Sequence, residues 1–245
     1  MNSVLDLLSC HRSIRKFTKT PVDDAMVKEL ISVAQCAATS SHVQAYSIIN
    51  IKDIDVRKQI ADLAGPQKWV ETAPIFLMFC ADLSRMETAA RHHGTPPETG
   101  WTEQSIVAVT DTAMLGQNMM VAAESVGLGG VFIGGIRNDP STVCHLLKLP
   151  TQVFPVFGLC LGYPDQDPPV KPRLPVDLIL HQETYDKSKA TRGLTAYDER
   201  VNAYYTARSP KLAHRTWTQG MAELSGQKLR PHMKAFLKSQ GFFQK

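Results

Sequence analysis

Along this chain, apolar residues at helical spacing alternate with short unbroken apolar runs, and that alternation predicts an α/β succession of elements. Residues 2–10 and 23–38 read as helices; the second opens on Asp23 and Asp24 after Pro21 and repeats Met26/Val27, Leu30/Ile31 and Ala34 on one face. Tyr46 to Ile51 reads as a strand, Asp53 to Leu63 as a helix and Ile75 to Cys80 (IFLMFC) as a buried strand. Thr102 to Val126 is the longest predicted helix. One apolar stripe holds Ile106, Val109, Ala113, Gly116, Met120 and Ala123 and another holds Val107, Met114 and Val121, which predicts a central helix buried on several sides and ended by Gly127. Leu128 to Ile133 reads as a glycine-edged strand, Pro140 to Leu147 as a helix and Val153 to Leu161 as another apolar strand.

The pattern changes after Gly162. Prolines at 164, 168, 169, 172 and 175 exclude a regular element and predict a rigid extended crossing. Beyond it Thr195 to Ala207 reads as a helix, Ser209 to His214 as a mobile basic loop and Pro231 to Lys238 as the last helix. No internal repeat or low-complexity tract interrupts this order.

Composition narrows the class. With 245 residues, 43% apolar and 20% charged, the chain has the balance of a soluble globular protein, and disordered, collagen-like and disulfide-scaffold readings fall. The length allows one large domain or two small ones. Five cysteines form an odd set without a CxxC pair, and two lie in strand-like runs, which points to buried thiols in a reducing cytoplasm. The first ten residues carry Asp6 and no basic segment, so no secretory signal is expected. No apolar run of about 18 residues offers a membrane span. The net charge of +4 hides a division: residues 1–186 carry 15 basic and 20 acidic groups, residues 187–245 carry 12 and 3. A basic tail of this kind binds polyanions or is a solvated face.

Four segments can carry chemistry. His11, Arg12, Ser13 and Arg15 place two guanidinium groups, an imidazole and a hydroxyl within five residues, a donor set that can saturate a phosphate. A solvated basic turn is an equal reading on local grounds. Thr39, Ser40 and Ser41 are consecutive hydroxyls at a helix end, where backbone capping is the commoner use. The glycines at 127, 129, 130, 134 and 135 bracket a strand and do not open a helix, and Phe132 stands where GxGxxG needs glycine, so a dinucleotide fingerprint is excluded. Lys171, Pro172 and Arg173 project two cations from the rigid crossing. Neither a P-loop, HExxH nor GxSxG occurs, and His92 and His93 have no ligand partners at metal-binding spacing, so hydrolase and metalloenzyme readings fall. Phosphate-gripping segments without an acid, base or nucleophile set suit a site where a cofactor does the chemistry.

Read together and in order, HRSIRKF, ATSSxxQxxSII, AGxQK, NMMVAAESxGLGGVFIGGIRN, FGLCLG and KPRLP resemble the FMN-dependent nitroreductase family over nearly the whole chain. They are most similar to its oxygen-insensitive NADPH nitroreductases and NADPH:flavin oxidoreductases. The resemblance implies an α+β fold, a mixed β-sheet surrounded by helices, in one domain spanning 1–245 with a basic C-terminal excursion at 187–245. It implies an intertwined homodimer with one FMN at each subunit interface. It places His11, Arg12, Ser13, Ile14 and Arg15, with Lys171, Pro172 and Arg173, at the FMN phosphate and the adjacent ribityl or pyrimidine edge. Thr39, Ser40 and Ser41, then Gln67, Lys68 and Trp69, then Phe132, Ile133, Gly134 and Gly135 line the rest of the flavin. Tyr204-Tyr205-x-x-Arg208 matches the motif whose arginine, on a flexible loop, binds the 2′-phosphate of NADPH, and Arg215 is a second cation there.

The implied reaction is a ping-pong transfer of two electrons from NADPH through flavin N5 to nitroaromatics, quinones or flavins. No metal and no protein acid or base is expected; Arg15 acts electrostatically on the reduced ring. A flavin reductase feeding reduced FMN to a monooxygenase is the alternative within the class. A basic nucleic-acid-binding protein is the alternative outside it, supported by the tail charge alone.

Overall fold

The computed structural model describes residues 3–209, 211 and 213–245, so Asn2 of the first predicted helix and positions 210 and 212 of the predicted basic loop lie outside the described residues. The chain divides into two compact units, 1–168 with 230–245, and 169–229.

In the first unit the elements run α1 (Ser3–Ser9), α2 (Asp24–Ala34), β1 (Tyr46–Asn50), α3 (Ile54–Leu63), α4 (Lys68–Thr72), β2 (Ile75–Asp82), α5 (Ser84–His92), α6 (Thr102–Ser125), β3 (Gly129–Ile133), α7 (Pro140–Leu146) and β4 (Val153–Gly162). The second unit holds α8 (Val176–Ile179), α9 (Ser188–Arg208) and α10 (Trp217–Ser225), and α11 (Met233–Ser239) returns to the first. The predicted basic excursion is thus divided: residues 230–245 bury Phe236 and Phe242 beside Phe154 in the first unit's core.

The sheet has the order β1-β2-β4-β3, and all three ladders are antiparallel. The α+β class is as expected, while among the described residues every strand pair is antiparallel, so the expected mixed sheet is not formed by these strands. Every residue of β2 is buried because helices cover both faces. Phe76, Met78 and Cys80 point into a core with Ile60, Val70 and Ile136, and Ile75, Leu77 and Phe79 into a second core with Leu30, Leu115 and Met119. The period-2 alternation of a strand thus serves two apolar faces, which is why the run IFLMFC carries no polar residue.

Helix α6 lies against the sheet through Ala108, Thr112, Leu115, Met119 and Ala123. Gly127, at φ +82°, follows its C-cap Val126 as expected. The prediction of burial on several sides is corrected: Ile106 and Met114 are 49% and 45% exposed, because the sheet, α1 and α2 leave their side of α6 uncovered. Helix α1 likewise buries none of its residues. Helix α2 stops at Ala34 instead of residue 38, where Gln35 caps it and Cys36 begins a turn.

Helix α7 begins on Asp139, whose carboxylate accepts from the Thr142 N–H at 3.0 Å and the Thr142 hydroxyl at 2.7 Å. These bonds hold its pKa below the ordinary value of 3.8. Asp139→Ala is therefore expected to lose about 1 kcal/mol at neutral pH. A depressed folded-state pKa gives stability that is full above the unfolded value and lost as pH falls through the folded one. The difference between wild type and D139A should accordingly shrink below about pH 4, as chemical denaturation at several pH values would show.

In the second unit α9 carries Tyr197 and Val201 inward. The Tyr197 hydroxyl donates to the Pro172 carbonyl at 3.0 Å, and its ring meets Trp217 at 6.0 Å. Asp198 accepts from the N–H groups of Trp217 and Thr218, which fixes the start of α10 against α9. Helix α9 begins seven residues before the predicted start at Thr195.

Candidate cofactor site

The cationic segment 11–15 is threaded along the edge of β3. Ile14 donates its N–H to the Gly130 carbonyl at 2.8 Å, and its buried side chain occupies the space above Gly129. On the other side, Thr18 N–H bonds the Tyr163 carbonyl and Asp165 N–H bonds the Lys16 carbonyl, both at 2.9 Å. These bonds fix the backbone and leave the polar side chains to differ in their partners. His11 Nδ1 lies 2.6 Å from Glu124 Oε1 on α6, and Arg12 pairs with Asp167. Arg15 has no carboxylate partner among the described residues; its guanidinium lies over the Trp69 ring, 5.6 Å from the centroid.

Trp69 is held in turn. Its indole N–H donates to Gln67 Oε1 at 3.1 Å, and Gln67 Nε2 donates to the Ala64 carbonyl at 2.7 Å. Gly135 presses on the same turn: a Cβ there would stand 2.2 Å from the Ala64 carbonyl oxygen and 2.7 Å from Gln67 Nε2. Four of the residues expected at the flavin, Arg15, Gln67, Trp69 and Gly135, therefore form one contact cluster. Phe132, 36% exposed, presents its ring from β3 and meets Phe157 edge-on. Ile133 is fully buried, so only its backbone can face a ligand, and Lys68 is exposed on α4.

Among the described residues no hydrogen bond or ion pair joins Thr39, Ser40 or Ser41 to that cluster. The Ser40 N–H donates to Asp111 Oδ1 at 3.1 Å and the Ala45 N–H to Asp111 Oδ2 at 3.2 Å. The predicted capping use is not seen, since Thr39 makes no side-chain cap bond.

In the second unit Lys171 and Arg173 are exposed. Lys171 Nζ lies 5.3 Å from the Tyr205 ring centroid, and Arg173 donates to the Lys171 carbonyl at 2.9 Å. Arg208, in the last turn of α9, is exposed and 3.5 Å from the Tyr204 hydroxyl; Arg215 is exposed just before the α10 cap Thr216. None of these four cations pairs with a carboxylate among the described residues.

The sequence pattern assigned no site role to Asp111 or Glu124, which the structure places against the 40–45 backbone and His11. It anticipated the thiols more closely: Cys80, Cys144 and Cys160 are buried and free. Burial pushes the first and last well above the ordinary thiol value and Cys144 up to about 11, so none of the three is a ready nucleophile. Cys10 and Cys36 are exposed, contrary to a uniformly buried set, because they sit just past the ends of α1 and α2.

The donor set fits a flavin mononucleotide. The hydroxyls of Ser13, Thr39, Ser40 and Ser41 have no protein partner among the described residues, Arg15 has no carboxylate partner among them, a flat ring stands beside it at Trp69, and Phe132 presents a second ring from β3. Donors without acceptors suit a phosphate and a carbonyl-rich ring edge. An α+β sheet carrying such a site defines a protein that holds a flat, phosphorylated cofactor and leaves the reaction to it.

Comparison with known proteins gives that class its family. The nitroreductase family model matches residues 8–163, and the model of that family's C-terminal domain matches residues 171–245. The chain is 42% identical over 244 residues to an oxygen-insensitive NADPH nitroreductase of Salmonella typhimurium, with 99% of each chain covered. It is 38% identical over 241 residues to an NADPH-flavin oxidoreductase of Vibrio harveyi, with 98% of each covered. The solved structure of an NADPH:FMN oxidoreductase from Vibrio harveyi complexed with NAD+ superposes with a TM-score of 0.91 at 36% identity, over 100% of both chains. The chain belongs to the nitroreductase family.

Proposed function

We propose that this chain is an NADPH-dependent, FMN-containing oxidoreductase that delivers two electrons to nitroaromatics, quinones or flavins, acting as one catalytic domain over 1–245 and as a cytoplasmic homodimer. The observation that carries the reading is the cluster of Arg15, Trp69, Gln67 and Gly135. It sets an unpaired guanidinium on a held aromatic ring and offers no acid, base or nucleophile to perform a reaction itself. FMN, when bound, supplies the two-electron chemistry.

The chain's residues bind and tune. His11, Arg12 and Ser13 are assigned to the phosphate, and the Ile14 side chain anchors their loop; the family resemblance adds Lys171 and Arg173 to the phosphate-binding set. Arg15 favours negative charge at the ring edge. Arg208 and Arg215 grip the 2′-phosphate that distinguishes NADPH from NADH. The homodimer is supported by the exposed apolar residues Ile106 and Met114 on α6, and by hydroxyls at 39–41 that no bond joins to the Arg15 cluster of the same chain. Free buried thiols agree with a reducing compartment. Among the described residues no helix is long and apolar enough to cross a membrane.

The purified protein should be yellow and should bleach when NADPH is added without oxygen. A preparation that stays colourless when supplied with FMN overturns the reading and returns the basic tail to a polyanion-binding role. Light scattering should give twice the 27.1 kDa of the chain. Release of reduced flavin, compared with turnover of a nitroaromatic at fixed NADPH, separates a flavin supplier from a direct reductase.

A further inference from the structure

We propose that Asp111 is a positioning residue for the cofactor: a buried carboxylate on α6 that holds the hydroxyl loop 39–45 in its ligand-ready shape. The inference rests on the flavin reading above for what the loop touches, but not for how the loop is held.

Three non-glycine residues within four positions, Ser41 (φ 46°), His42 (φ 58°) and Gln44 (φ 53°), occupy the left-handed region. That region disfavours side chains, and a run of this kind persists only where surrounding structure holds it. The hold is visible on both sides of the backbone. Asp111, 1% exposed, takes the Ser40 N–H on one oxygen and the Ala45 N–H on the other, bracketing the strained residues. On the carbonyl side Arg85 donates to Gln44 O at 3.3 Å and to Tyr46 O, and is itself paired with Asp82 at 3.0 Å.

With its backbone spoken for, the loop leaves the hydroxyls of Thr39, Ser40 and Ser41 free of protein partners. Asp111 lies on the buried stripe of α6 between Ala108 and Leu115, so its position is set by the rigid core and not by the loop. A buried carboxylate is retained there because each oxygen meets a fixed donor. An amide of the same shape can accept only one of the two and turns an N–H toward the other.

The test compares wild type, D111N and T112V. Thr112 is equally buried on the next position of α6 and bonds only the carbonyls of Ala108 and Cys80, so T112V removes a buried polar group without touching the loop. Three quantities are read: FMN affinity of the apoprotein by fluorescence titration, amide exchange of the apoprotein across residues 38–46, and melting temperature. D111N should weaken FMN binding by about tenfold to a hundredfold and speed exchange at Ser40 and Ala45. T112V should leave both within about twofold despite a comparable loss of stability.

The proposal is overturned if D111N changes neither exchange nor FMN affinity more than T112V does. If exchange speeds up in D111N but no protein in the set binds FMN, the loop-holding role stands and the flavin reading fails. Should D111N fail to fold, D111A, which removes both acceptors without introducing a donor, carries the same comparison: unaltered exchange at Ser40 and Ala45 together with unaltered FMN affinity would overturn the proposal.

Discussion

Gly135→Ala is expected to lower the melting temperature by roughly 10 °C and to weaken FMN binding with it. The added Cβ would stand 2.2 Å from the Ala64 carbonyl oxygen and 2.9 Å from its carbon, inside contact distance of backbone that cannot rotate away. Overpacking costs about 1–3 kcal/mol, and a backbone obstacle places this site at the upper end. The usual gain from removing a glycine from the unfolded chain, about 0.4–1 kcal/mol, offsets little of that. The strain passes directly to the site, because the third atom in the way is Gln67 Nε2, and Gln67 holds the indole of Trp69 on which Arg15 rests. Gly220→Ala is the control: it lies in helix α10 with nothing within 4 Å and should be neutral or stabilised by up to about 1 kcal/mol. Thermal melts with and without FMN separate the two, and an unshifted G135A would show that the turn at Ala64 yields.

Arg208→Ala should raise KM for NADPH by about ten- to a hundredfold while leaving NADH almost unaffected, since one charge-assisted contact contributes about 1.5–3 kcal/mol. The residue ends α9, exposed and without a carboxylate partner, so its charge is available to a phosphate. A competing structural use exists: a cation in the last turn stabilises the helix dipole by about 0.3–1 kcal/mol. That use would lower the melting point of R208A slightly and would alter the kinetics with both nucleotides alike. Steady-state kinetics with each nucleotide decide between them, and an unchanged preference removes Arg208 from the NADPH site. The preference should also narrow in wild type at high salt, because the contact is exposed.

What could be read before the fold was known follows from burial. Strands β2 and β4 announced themselves because helices cover both sheet faces and leave no polar position. Helices α5 and α10 were not predicted, and neither buries a residue. The start of α9 was hidden by Gly193, which lies against Leu178 and reads as a breaker in sequence. Residues proposed to meet the cofactor, such as Arg15 and Ser40, were candidates by residue type and received that role only through the family resemblance. Residues that act through others received none. Asp111 had a signal, since it falls on the same helical stripe as Ala108 and Leu115, where a carboxylate requires a reason. The two N–H groups that supply the reason are 66 and 71 residues away and appear only in three dimensions.

The return of residues 230–245 to the first unit also orders the events of synthesis. Phe242 is fully buried against Phe154, and the Gln244 and Lys245 N–H groups bond the Gly100 carbonyl. The cluster around Ala45, Ala81 and Phe154 therefore stays open on the ribosome until position 242 has emerged, by which time all of 169–229 has been made. Completion of the earlier, larger unit thus waits on a segment translated after the smaller one.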